Sequence, residues 1–460
     1  MRTESDSIGS LEIPEGAYYG VQTLRAYRNF QITGRKMHPA FIMSLATIKK
    51  AAALTNLQAG ALDPRRGRAI AAACDEILAG QWHDQFIIDP VQGGAGTSAN
   101  MNANEVIANR ATELLGGGLG TYMVHPNDHV NMAQSTNDVY PTAGKLTVLE
   151  LLPRVLSQLT RLQRALQEKA EEFRDVLKMG RTQLQDAVPM RLGQSFSAYA
   201  HAVGRDIGRL TRVQKEMCVI NLGGTAIGTA INTCPAYLSR IAATLCQTAH
   251  RELHQANDLI DATQNADCFV MVSGVLKTCA VNLSKMANDL RLLSSGPRTG
   301  VYEINLPAMQ NGSSIMPGKV NPVIPEVVTQ VAFHIVGHDQ TITMAAEAGQ
   351  LELNAFEPVI FYNLFESLDA LEGAVRTFVD NCVTGITANR GRCRDLLEHS
   401  VGIVTALCPY IGYKKAADLA KRALRDGIPV RELVLREHLL ESDSLMQILD
   451  PAAMTEPKFA

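Results

Sequence analysis

What this 460-residue chain lacks narrows it quickly. Neither sign of charge is in excess: 43 Lys and Arg face 46 Asp and Glu, the net charge is −3, and the signs are mixed along the chain. That excludes the basic footprint of a nucleic-acid binder and the polybasic patch of a membrane-surface protein. No run of ~18 uninterrupted apolar residues marks a membrane span. The first residues, MRTESDSIGSLEIPEGAYYG, lack the apolar core of a secretory signal. The nine cysteines (Cys74, Cys218, Cys234, Cys246, Cys268, Cys279, Cys382, Cys393 and Cys408) are odd in number, widely spaced and without a C-x-x-C. They read as reduced, mostly buried thiols of a cytoplasmic protein. Without secretion, the glycosylation triplet at Asn311 carries no meaning. No internal repeat is visible, and no G-x-S-x-G nucleophile elbow occurs.

What is present is a chain long enough for two or three domains, with 46% hydrophobic residues to build a sizeable core. Its first part is mixed, with short helical patterns between turn-rich pieces such as LLGGGLG and HPNDHVN. From about Tyr140 the texture becomes long helical periodicity. Between Ala266 and Leu293, apolar residues fall at Phe269, Val272, Leu276, Cys279, Leu283, Met286, Leu290 and Leu293. Steps of three and four make one stripe along a rod of ~42 Å. Similar rods are expected over 141–174, 190–219, 322–350 and 354–384, packed side by side as a bundle. The expected organisation is therefore mainly α. A mixed, mostly helical N-terminal domain spans 1–137, a central long-helix bundle 138–392, and a small C-terminal helical domain 393–460.

Four clusters of small polar residues interrupt this texture, each just before a run that reads as helix. They are GGAGTSANMNANE (93–105), HPNDHVNMAQSTND (125–138), GRTQLQDAVP (180–189) and NGSSIMPGKVNP (311–322). A helix N-terminus exposes unpaired N–H groups and a positive dipole end, which favours anions. Ser and Thr there either cap the helix or bind a ligand. Four such clusters, with Lys319 in a loop almost free of carboxylates, favour an anion site. Two motif matches fail. GAGTSA fits the dinucleotide fingerprint but lacks the strand–turn–helix frame, and the 311–322 loop has five residues between Gly312 and Gly318, and Val320 where a P-loop needs Ser or Thr. The pairs His250/His254 and His334/His338 read as surface or core histidines rather than metal ligands.

Within the 311–322 loop, Gly312 and Gly318 permit conformations closed to other residues and Pro317 stiffens the chain. Converging N–H groups and Lys319 would let Ser313 or Ser314 act as a base by stabilising its alkoxide. The alternative, that both serines only bond substrate or backbone, stands beside it on residue chemistry alone.

GSSIMPGKVNP closely resembles the signature loop of the aspartase/fumarase superfamily, and the other three clusters match that family's remaining segments in the expected order. The resemblance runs from YYGVQTLRA at Tyr18 to GIVTALCPYIGY at Gly402. QGGAGTSANMN, GRTQLQDAVP, AAEAGQLELNAFEPV (345–359) and GITANR (385–390) are similar to the aspartase branch rather than the class II fumarase branch. The resemblance implies an ammonia-lyase that reversibly converts L-aspartate to fumarate and ammonia; fumarate hydration is the alternative. It implies that Ser313 takes the Cβ proton and that Thr97, Ser135, Thr136 and Ser314 hold the resulting enediolate. Thr182, Lys319 and Asn321 would clamp the α-carboxylate, with Asn137 and Thr97 near the amino group. Many members carry His after the Thr of GRT, where this chain has Gln183. Gln183 cannot titrate, so a relay with Glu326 is closed to it, although its amide can orient the amino group. The family fold is a three-domain, mainly α homotetramer with active sites shared between subunits. No organic cofactor and no metal ligand set are implied.

Overall fold

The computed structural model describes residues 1–455. Among these, the chain is mainly α-helical, with seventeen α-helices and only two-stranded sheets. It forms two compact units. The first comprises Met1–Leu156, Gly208–Thr278 and Phe333–Glu372; the second comprises Ser157–Ile207, Cys279–Ala332 and the described part of Gly373–Ala460.

The expected rods form at Thr136–Glu172, Leu192–Val213, Asp267–Leu293, Val323–Glu347 and Glu357–Asn381. In the Asp267–Leu293 helix, seven stripe residues from Phe269 to Leu290 are buried, and only Leu293 at the frayed end is half-exposed. This helix is long and apolar enough in its best window to cross a bilayer. It also carries Lys277, which pairs with Asp339, and Asp289, which accepts from Tyr199. Those partners, and the buried stripe, make it a packed helix of the chain.

The first unit opens with a hairpin, Arg2–Asp6 against Gly9–Ile13, that the residue pattern had not indicated. Behind it, the Val21–Asn29 helix begins without a side-chain cap of its own. Its N–H groups are taken by a remote carboxylate: Glu105 accepts from the backbone of Gly20, Gln22 and Thr23 and from the Thr23 hydroxyl at 2.6–3.1 Å. Orphan amides at a helix start need such partners, and an anion there is favoured by the dipole. Rings of Phe41, Tyr140, Phe269 and Phe361 meet at centroid distances of 4.9–5.3 Å and pin four helices together. Each such pair adds about 1 kcal/mol beyond burial.

In the second unit, GRTQLQDAVP is not a helix entry. It builds the hairpin Leu177–Thr182 against Gln185–Arg191, which delays the next helix to Leu192. The fully buried Glu303 lies between Lys178 and Arg181 of this hairpin at 3.1 and 2.9 Å. The C-terminal helices, from Tyr413 to Ile448, close on their own cluster of Leu407, Leu419, Val430, Leu433, Val434 and Leu445.

Candidate active site

The sequence-derived site residues divide between the units. Thr97, Ser135, Thr136 and Asn137 lie in the first; Thr182, Gln183, Ser313, Ser314, Lys319 and Asn321 lie in the second.

In the first unit, two helix N-termini converge. The chain enters the Thr97–Leu114 helix through three successive left-handed residues, Gly94, Ala95 and Gly96, at φ 88, 55 and 90. Gly96 is obligatory twice over, because a β-carbon there would also overlap the Tyr140 ring. Thr97, the first helical residue, is exposed. One turn on, Asn100 donates from Nδ2 to Thr136 Oγ1 at 3.2 Å, tying this helix to the start of the Thr136–Glu172 helix. Ser135 Oγ accepts from the Asn137 amide at 3.2 Å, so its hydroxyl performs the capping role. Converging N-terminal turns place partial positive charge on one spot, which suits a carboxylate.

A buried polar network fixes that spot. Asp138 accepts from the amides of Ser135, Gly223 and Thr225 at 2.9–3.0 Å. Pro141 has no N–H to give the Asn137 carbonyl, and Asn221 Nδ2 supplies that bond at 2.9 Å. Asn137 Nδ2 in turn donates to the Ala226 carbonyl at 2.7 Å. Beneath, the fully buried Lys49 donates to Asn131 Oδ1 and Gln134 Oε1 at 2.9 and 3.0 Å. Asn131 Oδ1 also accepts from Asn100 and Asn104. Burial pulls the Lys49 ammonium down to about 7 against the opposing charge of Asp138. Burial lifts the Asp138 carboxyl to about 6 despite its three amide donors. Residue patterns did not single out Lys49, Asn100 or Asp138. The available signal was Lys49 within the mostly apolar run PAFIMSLATIKKAAAL, at a position that faces inward.

In the second unit, Thr182 pairs with Gln185, leaving Gln183 and Leu184 as a two-residue turn at φ 51 and 61. Such turns ordinarily use Asn and Gly. Two side chains in the left-handed region store about 1–3 kcal/mol each and hold Gln183 out in the open.

The 311–322 loop folds back on itself. Gly312 N donates to the Lys319 carbonyl at 2.9 Å and Asn321 Nδ2 donates to the Gly312 carbonyl at 2.6 Å. Gly318 takes the left-handed conformation, φ 81. Gly312 does not; it is required because a β-carbon would overlap the Lys319 carbonyl oxygen. Inside the loop, the amides of Ile315 and Met316 donate to Ser313 Oγ at 3.2 and 3.0 Å. Ser314 and Lys319 are exposed, and no carboxylate pairs with Lys319 among the described residues. Among those residues no hydrogen bond joins Thr182 or Gln183 to this loop. The arrangement so far is two helix N-termini whose dipoles suit an anion and, in the other unit, one serine oxygen supplied with two N–H donors.

HRELH is not a metal pair on a helix face. His250 ends a helix at φ 51 and His254 lies in a short strand, so the four-residue spacing places them on different elements. His334 and His338, in contrast, share the Val323–Glu347 helix. Among the described residues no group of three or more His, Cys, Asp or Glu is placed to hold a metal.

Comparison with known proteins gives a consistent answer. Residues 9–337 match a family described as lyase, and residues 403–456 match the fumarase C C-terminus. An aspartate ammonia-lyase of Bacillus sp. is 52% identical, across 100% of this chain and 98% of the relative. One from Helicobacter pylori (strain ATCC 700392 / 26695) is 53% identical over 99% of this chain and 98% of its own. Among solved structures, a Brucella melitensis fumarate lyase:delta crystallin bound to cobalt is 51% identical, with a TM-score of 0.96 over 99% of this chain and 100% of that one. A class II fumarase from Schistosoma mansoni is 36% identical, with a TM-score of 0.97 over the full length of both chains. Matched over most of its length by the lyase family and end to end by these relatives, the chain belongs to the aspartase/fumarase superfamily.

Proposed function

We propose that this chain deaminates L-aspartate reversibly to fumarate and ammonia. Relatives named for that reaction share about half of its residues, 52% and 53% in the two cases above. The observation that carries the mechanism is the pair of amides donating to Ser313 Oγ at 3.2 and 3.0 Å. A serine oxygen is a poor base until donors stabilise its alkoxide, and these two do so without any rearrangement.

In this reading the Ser313 alkoxide takes the proton from Cβ. The electron pair left behind moves into the β-carboxylate as an enediolate. Thr97, Ser135, Thr136 and Ser314 donate to that group most strongly when it carries the extra charge, which lowers the barrier rather than tightening substrate alone. The electrons then return to form the C=C bond as the C–N bond breaks, and the nitrogen departs as ammonia. Thr182, Lys319 and Asn321 hold the α-carboxylate. Asn137, Thr97 and Gln183 orient the amino group. Because Gln183 exchanges no proton, the leaving nitrogen departs without a strong side-chain acid, which an ammonium tolerates and a hydroxide does not. The division of these residues between separate units is consistent with sites completed by several subunits of a homotetramer. The nine free cysteines fit a reducing, cytoplasmic setting.

The test is absorbance of fumarate on adding purified protein to L-aspartate and, separately, to L-malate. Fumarate from aspartate is the expected result. Fumarate from malate alone would replace this reading with fumarate hydration.

A further inference from the structure

One buried carboxylate in the second unit organises two segments assigned to substrate. Glu303 is fully buried and faces two cations of one strand, Lys178 Nζ at 3.1 Å and Arg181 Nη1 at 2.9 Å. Residues three apart on a regular strand point to opposite faces. Here the ladder shifts register between Met179 and Arg181, and the added residue turns Lys178 and Arg181 to the same side. The buried charge is tolerated because both cations meet it. Beyond the shift the hairpin is held by two pairs, Arg181 with Asp186 and Thr182 with Gln185, before the left-handed turn at Gln183 and Leu184. Its tip is oriented by an anchor on each strand: Arg181 donates to Glu303, and Asp186 accepts from Ser400 Oγ at 2.8 Å. With Arg181 drawn inward the next residue faces the other way, and Thr182 is exposed.

Glu303 is itself clamped through its backbone. Its amide donates to the Leu293 carbonyl and its carbonyl accepts from the Asn389 amide, both at 2.9 Å. Asn389 Nδ2 donates at 3.0 Å to the carbonyl of Tyr302, which holds a left-handed φ of 53, and Asn305 Nδ2 donates to Asn389 Oδ1 at 2.7 Å. Ile304 and Asn305 pair with Ala388 and Thr387, so the GITANR segment fixes the strand that runs on into the 311–322 loop.

We propose that Glu303 is a positioning residue for the amino-acid head of the substrate: acting through Arg181, it sets where the hairpin presents Thr182 and Gln183, and GITANR holds it in place. This rests on the reading that Thr182 and Gln183 meet the α-carboxylate and the amino group. The α-carboxylate keeps its charge as the Cβ proton leaves, so contacts to it hold ground state and transition state alike. Misplacing them raises KM and spares kcat.

The experiment is steady-state kinetics on the full-length protein, read by fumarate absorbance, for the wild type, Arg181→Gln, Glu303→Gln and the double variant, with urea unfolding of each. Arg181→Gln leaves Glu303 paired with Lys178, so its fold survives even if Glu303→Gln misfolds. It should raise KM for L-aspartate about tenfold while kcat changes by less than about threefold. The double variant should cost no more than the worse single one, because both act through the same contact. Lower stability with KM unchanged in Arg181→Gln would reveal a structural pair only and overturn the proposal, as would additive effects on KM. No fumarate from aspartate with the wild type would instead overturn the reading of the reaction, and this inference with it.

Discussion

Two regions proposed to serve one reaction are built in opposite ways. The Ser135–Asn137 segment sits on buried helix ends, and Asp138, Asn221, Asn100 and Lys49 hold it through a continuous set of hydrogen bonds. The 311–322 loop is mostly exposed, and its ordering bonds are nearly all internal to it. Donors that meet developing charge work best when they need no reorganisation, so they belong on a rigid base. A base that must reach a substrate carbon, and then release product, belongs on a segment able to open and close. The contrast teaches that, in the proposed reaction, charge stabilisation would reside in packed helices and proton transfer in a loop.

The largest way to break this comparison is Ser313→Ala. It should lower kcat about a thousandfold with KM little changed, as read by fumarate absorbance. Unaltered turnover would show that the loop supplies no base.

Next is Asp138→Ala, which strands the amides of Ser135, Gly223 and Thr225 inside the protein. A loss of about 3 kcal/mol in urea unfolding is expected, together with weaker turnover. Equal tolerance here and at the loop would erase the difference in rigidity.

Lys49→Met sharpens the same point through pH. The folded-state pKa of Lys49 is about 7, below its ordinary 10.5. Between those values the unfolded chain binds a proton that the folded chain does not, so stability contributed through this group rises with pH across that window. The variant should flatten the rise, by up to about 1.4 kcal/mol per pH unit, in denaturation series from pH 7 to pH 9.5. Asp138 acts in the opposite sense at lower pH. Its folded pKa is raised from 3.8 to about 6, so its contribution is greatest below 3.8 and declines as pH rises toward 6.

The smallest expected effect is at the hairpin turn of the second unit. Leu184 is 70% exposed and left-handed. Leu184→Asn, a residue that accepts this conformation, should stabilise by about 1 kcal/mol without loss of activity. Stabilisation coupled to lost turnover would mean that the strain itself positions Gln183.

Much of the fold was legible in advance because apolar residues at steps of three and four can face inward only on a helix. The Asp267–Leu293 helix was delimited to within a residue on that basis. The GRTQLQDAVP hairpin was not, since its turn uses Gln183 and Leu184 in place of the glycine or asparagine that would have announced it. The His250/His254 spacing shows the same limit: four-residue spacing implies a shared face only when the segment is helical, and His250 ends its helix.

The sequence by itself determined the long helices and the four polar clusters, because periodicity and motif spacing are local properties of the chain. Only the tertiary structure decided that Lys49 lies buried beneath Asn131 and that Asp138 gathers amides from residues more than eighty positions away. Burial and hydrogen-bond partnership depend on which distant segments share a space, and a string of residues does not specify that one position at a time.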